Sequence, residues 1–353
     1  MNKPIIGISQ GDPNGVGLEV IIKTLQHHIV FEHCIPVLYG NPKIFAYHKK
    51  TLNLEKVSYT LIRDISEAKK NQVNLIASSN EAFEVQYGQA SQAAGKEAFM
   101  AISRMMQDAK AGKLDAIVTA PVDKSTITES GFTGHTGYIT KYLGADDSLM
   151  VLFNEDVRVG LLTEHLPISK VASAISKGSL LSKLRIASKS LKKDFGIVKP
   201  KIAVLGLNPH NGDNGSMGNE ERDIIVPAIS EAKGEDIFCF GPYSADGFFG
   251  MKTYMQFDLV LAMYHDQGLI PFKSMAFEDG VNYTAGLPIV RTSPDHGTAY
   301  DIAGKNCALP LSFANAVFSA IDIFYQKKET EALKANPLGY SEFRRERFRL
   351  EQG

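Results

Sequence analysis

Ile5-Ile6-Gly7-Ile8-Ser9-Gln10-Gly11-Asp12-Pro13-Asn14-Gly15-Val16-Gly17-Leu18-Glu19-Val20 is the stretch on which the fold class turns. An apolar run, Pro4–Ser9, stops at a turn built of Gly, Asp, Pro and Asn, and a helix follows. Strand, tight turn and helix in that order open an α/β sheet. A Rossmann unit would need G-x-G-x-x-G/A at this place. Gly15 and Gly17 supply its first half, but Val20 stands at the third glycine position. The chain therefore opens as an α/β unit that is not of the GxGxxG type.

The same alternation continues outward from this unit. Leu114–Thr119, Val157–Thr163, Lys201–Leu207, Phe257–Met263 and Leu287–Thr292 are short runs rich in Val, Ile and Leu, each ended by a turn residue. Such near-continuous apolar runs suit strands buried on both faces of a mainly parallel sheet. Ser91–Lys110, Lys170–Lys193 and Ser312–Lys328 read as helices. The length, 353 residues, suits two domains or one large α/β unit. Neither a repeat nor a low-complexity linker marks a boundary. Ser341 to Gly353 reads as a charged, solvated terminal helix.

Composition excludes several classes. Apolar residues make up 44% and charged residues 22%, with a formal net charge of −1. A disordered or collagenous chain is excluded, and no net positive field draws the chain to nucleic acid or anionic lipid. No run reaches the ~18 apolar residues of a membrane span. The N-terminal stretch lacks the apolar region of a signal peptide. Three scattered cysteines (Cys34, Cys239, Cys307) make neither a disulfide framework nor a Cys-based zinc site. These features predict a cytoplasmic protein with no nucleic-acid or membrane partner.

The chemistry is carried by histidines. His27, His28, His33 and His48 have polar surroundings and read as surface residues. Three others share one context: a strand-like run ends and His165, His210 or His265 follows shortly after. Ligand sites in open α/β sheets lie past the carboxyl ends of strands. Neighbouring strands are ~4.8 Å apart, so three such imidazoles could converge on a divalent cation with one position left open. Asp246 and Asp266 are nearby carboxylates.

A second group suits an anion. Gly134-His135-Thr136-Gly137 is a small polar turn able to hold an oxyanion. Lys273 and Arg291, with Asn282, stand in apolar segments punctuated by Gly and Pro. Arg grips a phosphate in a fork, whereas Lys serves as a point charge.

Ordered motifs run along nearly the whole chain: Gly11-Asp12-Pro13-Asn14-Gly15-Val16-Gly17, Thr119-Ala120-Pro121-Val122-Asp123-Lys124, Gly134-His135-Thr136, Leu207-Asn208-Pro209-His210, Gly241-Pro242, Tyr264-His265-Asp266-Gln267-Gly268, Gly286-Leu287-Pro288-Ile289-Val290-Arg291-Thr292-Ser293 and Asp295-His296-Gly297-Thr298-Ala299. In these the sequence resembles the 4-hydroxythreonine-4-phosphate dehydrogenases of pyridoxal phosphate biosynthesis. The resemblance implies a two-domain α/β/α layered fold like the isocitrate and isopropylmalate dehydrogenases. Residues 1–125 plus 290–353 would form the first domain and 126–289 the second, with the active site in the cleft and at a homodimer interface.

The resemblance also implies residue roles. Metal ligands would be His165, His210 and His265, one of them from the partner chain. Substrate contacts would be His135, Thr136, Lys273, Asn282 and Arg291. Gly297, Thr298, Ala299 and Asp301 would border the dinucleotide, NAD or NADP. The cation would be Zn, Mg or Co, and the substrate a small phosphorylated amino-hydroxy acid. Asp246, Asp266 and Lys273 are the candidate general bases. Close alternatives are phospho-threonate or phospho-erythronate dehydrogenases; a metal-dependent hydrolase or aldolase is a more distant one. The family pattern is broken at Gly137, where Glu is usual. It is broken again at Glu164, where Thr is usual, and after His210, where a second His is common.

Overall fold

The computed structural model describes residues 3–55, 57–132 and 134–335. The charged stretch from Ser341 to Gly353 lies outside them. Twelve strands form one sheet: β1 (Ile5–Ser9), β2 (Ile35–Gly40), β3 (Tyr59–Ile62), β4 (Val73–Ala77), β5 (Ala116–Thr119), β6 (Leu149–Phe153), β7 (Arg158–Leu161), β8 (Ile202–Leu205), β9 (Cys239–Tyr243), β10 (Leu259–Ala262), β11 (Val281–Ala285) and β12 (Val290–Pro294). Their order is β3-β4-β2-β1-β5-β12-β11-β6-β7-β10-β8-β9. The six strands from β3 to β12 pair in parallel, as do the four from β7 to β9. Between them β12–β11, β11–β6 and β6–β7 are antiparallel.

Helices cover the sheet, as the apolar runs demand. Ile6, Ile8, Val118, Val204 and Leu261 have no solvent exposure. Local signals set the helix ends. Ser91 Oγ accepts from the Ala94 N–H and caps the helix Gln92–Lys110. Asn41 does the same for Lys43 at the head of Pro42–Thr51, with proline in the first helical position.

One expected helix divides. Lys170–Lys193 forms two helices, Ile168–Ala174 and Lys177–Lys193. Ile175 and Ser176 are extended, and Ser176 forms a reciprocal capping box with Ser179. The expected strand Leu287–Thr292 begins only at Val290, because Gly286 turns the chain with φ +92°.

The surface reading of His48 is corrected by the fold. This side chain is fully buried, and Nε2 donates to the Pro13 carbonyl at 2.8 Å. It thereby ties the helix Pro42–Thr51 to the Gly11–Gly15 turn. That turn is also fastened to the late loop: the Val16 N–H donates to Thr298 O at 2.9 Å, and Tyr300 Oη to Asp12 at 2.7 Å. A Cβ on Gly15 would stand 2.7 Å from Thr298 O, so glycine permits the close approach.

Candidate active site

A cavity of about 340 Å³ opens where the sheet changes from parallel to antiparallel pairing. All five expected substrate contacts line it: His135, Thr136, Lys273, Asn282 and Arg291. Arg291 is 3% exposed and spans three neighbouring strands. From β12, Nη2 donates to Thr119 Oγ1 on β5 (2.7 Å) and Nη1 to Thr284 Oγ1 on β11 (3.0 Å). Burial lowers its pKa to about 10, which still leaves the guanidinium charged at neutral pH.

Other polar atoms in the cavity have no partner among the described residues: His135 Nε2, Asn282 Oδ1 and Arg291 Nε. Groups left dry and unpaired cost stability unless something meets them. Burial, and then the charges of Arg291 and Lys124, push the His135 pKa well below its ordinary value. His135 therefore faces the cavity as a neutral ring. Lys273 lies 3.6 Å from Asp295 Oδ1.

Two of the three histidines lie together. Strands β7, β10 and β8 are adjacent, so all three histidines leave neighbouring strands. The His165 and His265 rings meet with centroids 5.6 Å apart, and both line the cavity. His210 does not join them within one chain. It sits exposed on a loop where His210, Asn211, Gly212, Asp213 and Asn214 all have positive φ. That left-handed path leads it away, toward Asp246. Among the described residues no three His, Cys, Asp or Glu side chains are placed to hold a metal ion.

The donors that do meet suit a cation. His265 Nδ1 donates to Asp266 Oδ1 at 2.8 Å, which frees Nε2 and fixes the ring. Burial first, then Lys124 and His265, lower the pKa of His165 and favour its neutral form.

The three candidate bases separate. Lys273 lines the cavity; Asp266 lies beside it, engaged with His265; Asp246 is exposed and bonded to Ser244. Of the expected cofactor residues, Gly297 lines the cavity with open space beside its Cα, and Thr298 meets the Gly15 turn. Ala299 takes a positive φ, and Asp301 is exposed.

Sequence reading gave no role to four ionisable residues of the lining: Lys124, Glu164, Asp295 and His296. Lys124 and His296 stand inside motifs quoted above, which was the available signal. Lys124 Nζ lies 3.5 Å from His165 Nε2. His296 Nε2 is buried without a partner. Burial raises the pKa of Glu164 against the pull of Lys183, Lys124 and Arg291.

Comparison with known proteins gives the class first. Over 94% of this chain, the structure resembles an isocitrate dehydrogenase from Methylococcus capsulatus (TM-score 0.52, 12% identity, 89% of that chain covered). The fold is thus that of the isocitrate-type dehydrogenases. The family model described as pyridoxal phosphate biosynthetic protein PdxA matches residues 32–320, and the chain belongs to that family. A curated relative from Bacteroides thetaiotaomicron, named 4-hydroxythreonine-4-phosphate dehydrogenase, is 49% identical over 96% of this chain and 93% of its own. A crystal structure of the Klebsiella pneumoniae enzyme of that name superposes with a TM-score of 0.78 at 32% identity, covering 91% of this chain and 98% of that one.

Proposed function

We propose that this chain oxidises 4-phosphohydroxy-L-threonine with NAD or NADP. The product, 2-amino-3-oxo-4-phosphohydroxybutanoate, decarboxylates to 3-amino-2-oxopropyl phosphate on the way to pyridoxal 5′-phosphate. The observation that carries this reading is the cavity itself. Arg291, Lys273, Lys124, neutral His135, Thr136 and Asn282 converge there beside two imidazoles, in a chain of this family.

The phosphate docks on Arg291, Lys273, Asn282 and the His135–Thr136 turn, which hold it by fixed donors rather than by mobile water. The carbinol end then lies toward His165 and His265. These two histidines, with His210 of a second copy, would hold a divalent cation (Zn, Mg or Co). When bound, the cation polarises the C3 hydroxyl and the nicotinamide accepts the hydride. Asp266 keeps His265 oriented. Lys273 is the one candidate base that lines the cavity, and as an ammonium it holds the phosphate instead of taking the hydroxyl proton. Gly297 and Thr298, with Ala299 and Asp301 beyond them, border the dinucleotide. The open space at Gly297 and the unpartnered His296 Nε2 suit a ligand there.

A homodimer with a shared site supports the same chemistry. His210 faces solvent, and two exposed apolar residues, Leu166 (43%) and Ile168 (73%), line the recess beside the histidine pair. The domain division falls at the seam between β12 and β11, with residues 1–125 and 290–353 on one side and 126–289 on the other. No helix among the described residues is long and apolar enough to cross a membrane. The three cysteines are free thiols, which suits a cytoplasmic setting.

The test is turnover of 4-phosphohydroxy-L-threonine with NAD or NADP and a series of divalent metals, read as nicotinamide absorbance. Reduction that requires metal is expected. No reduction under any combination would overturn the reading.

A further inference from the structure

Three cationic side chains line the cavity, Lys124, Lys273 and Arg291, and each has its own setting. Lys273 donates to the Asp295 carbonyl at 3.3 Å and lies 3.6 Å from its carboxylate. Arg291 is held by the Thr119 and Thr284 hydroxyls. Lys124 leads the short turn Lys124–Thr126 that follows β5. Asp123, the acid next to it in sequence, is occupied by the Ser125 N–H and hydroxyl at 2.9 and 2.7 Å. The Lys124 stem crosses Gly134 at the head of the His135–Thr136 turn, where a Cβ would stand 2.9 Å from Cε. Its ammonium then donates to His165 Nε2 at 3.5 Å. Glu164 lies in the field of Lys183, Lys124 and Arg291, and its single charge is shared among them. Lys124 is thus the lining cation of the histidine end.

Its present partner is not a lasting one. His165 Nδ1 faces Glu164 at 3.9 Å, so Nε2 is the atom left for a cation on the reading above. With that atom taken, Lys124 loses its acceptor and stands as an ammonium beside a positive ion. An anion placed between the two relieves the repulsion. The substrate has one to offer. Its phosphate goes to Arg291, Lys273 and the His135–Thr136 turn. Its C1 carboxylate lies two bonds from the carbinol carbon that faces His165 and His265.

We propose that Lys124 receives the substrate's carboxylate and so selects phosphorylated acids over their decarboxylated counterparts. The proposal deepens the functional reading above and rests on it. A charge-assisted hydrogen bond to a carboxylate replaces the long one to the imidazole. When the C1–C2 bond breaks, its electron pair moves into the C2–C3 enolate and C1 leaves as uncharged CO₂. The hold of Lys124 therefore ends with the reaction.

The test measures affinity by calorimetry, without nicotinamide so that nothing turns over, and with Zn, Mg and Co in turn. Two compounds are compared on the wild-type chain and Lys124→Met. One is 4-phosphohydroxy-L-threonine. The other is 3-amino-2-hydroxypropyl phosphate, which keeps the phosphate, hydroxyl and amine and has hydrogen in place of the carboxylate. The Met variant, which keeps the stem over Gly134, is expected to bind the acid on the order of ten- to a hundredfold more weakly. Its affinity for the decarboxylated compound should stay within about threefold of wild type. Thermal unfolding confirms that the variant is folded, and Lys124→Gln repeats the comparison if it is not. Equal loss on both compounds would overturn the proposal alone and make Lys124 a phosphate anchor. No loss on either would overturn it too. A wild-type chain that binds neither compound and leaves nicotinamide unreduced would overturn the proposal together with the functional reading.

Discussion

Arg291 Nη2 donates to Thr119 Oγ1 at 2.7 Å, joining residues 172 positions apart. A second bond to Thr284 fixes the plane of the guanidinium. The fork is therefore oriented before any ligand arrives, and little entropy is lost when a phosphate docks.

Arg291→Lys tests that orientation. The charge survives but the planar fork does not. KM for the phosphorylated substrate should rise on the order of tenfold or more. An unchanged KM would make Arg291 a structural residue that only ties three strands together.

His210→Ala tests the shared cation. His210 is exposed and makes no described core contact, so its loss should leave the unfolding midpoint within a few degrees. Bound divalent metal, read by elemental analysis, should fall to background, and turnover with it. A variant that keeps its metal would remove His210 from the ligand set.

His48 gives a pH dependence. Burial lowers its pKa from 6.5 to about 4, and Nδ1 is buried without a partner. Between those values the unfolded chain binds a proton that the folded chain refuses. Stability should therefore fall as pH drops from about 6.5 toward 4, by about 3 kcal/mol from this residue. Replacing it with Gln keeps a donor for Pro13 O and removes the titration. The midpoint of the variant should accordingly decline less over that window. Parallel curves for the two proteins would refute the assignment.

Gly15→Ala tests the join between the early turn and the late loop. The added Cβ meets a backbone carbonyl, Thr298 O, which cannot rotate away. A loss of about 1–3 kcal/mol is expected, as for other overpacked sites. KM for the nicotinamide cofactor should rise as well, because Thr298 adjoins Gly297 at the cavity. A normal KM in a destabilised variant would separate the join from cofactor binding.

Much of this was legible in the sequence, for identifiable reasons. β1, β5, β7, β8 and β10 announced themselves because both faces are buried and the runs are apolar throughout. β11 did not: Asn282, Tyr283 and Thr284 interrupt its apolar pattern, since one of them faces the cavity. The meeting of Lys273 and Arg291 in one cavity was legible because charged side chains are costly in apolar segments and imply a partner. His48 misled because Lys49 and Lys50 follow it. Their charges belong to the outer face of a helix whose inner face carries His48 against Pro13. Glu164 was noted only as a break in the family pattern and given no role, because acidic residues after strands are usually solvated and only the covering of its side chain distinguishes it. The departure of His210 from its expected companions rests on backbone dihedrals that no residue pattern announces.

The seam of the sheet has a consequence for biogenesis. β12, which carries Arg291, lies between β5 and β11, so the buried guanidinium is set only after strands distant along the chain have come together. Contacts of such long range form slowly, because loop closure precedes their reward. A nascent chain that has emitted β5 and the His165–His265 pair, but not residue 291, has no finished cavity. Ligand therefore cannot template the early steps of folding. It acts as a clamp on the completed molecule, slowing its unfolding rather than hastening its formation.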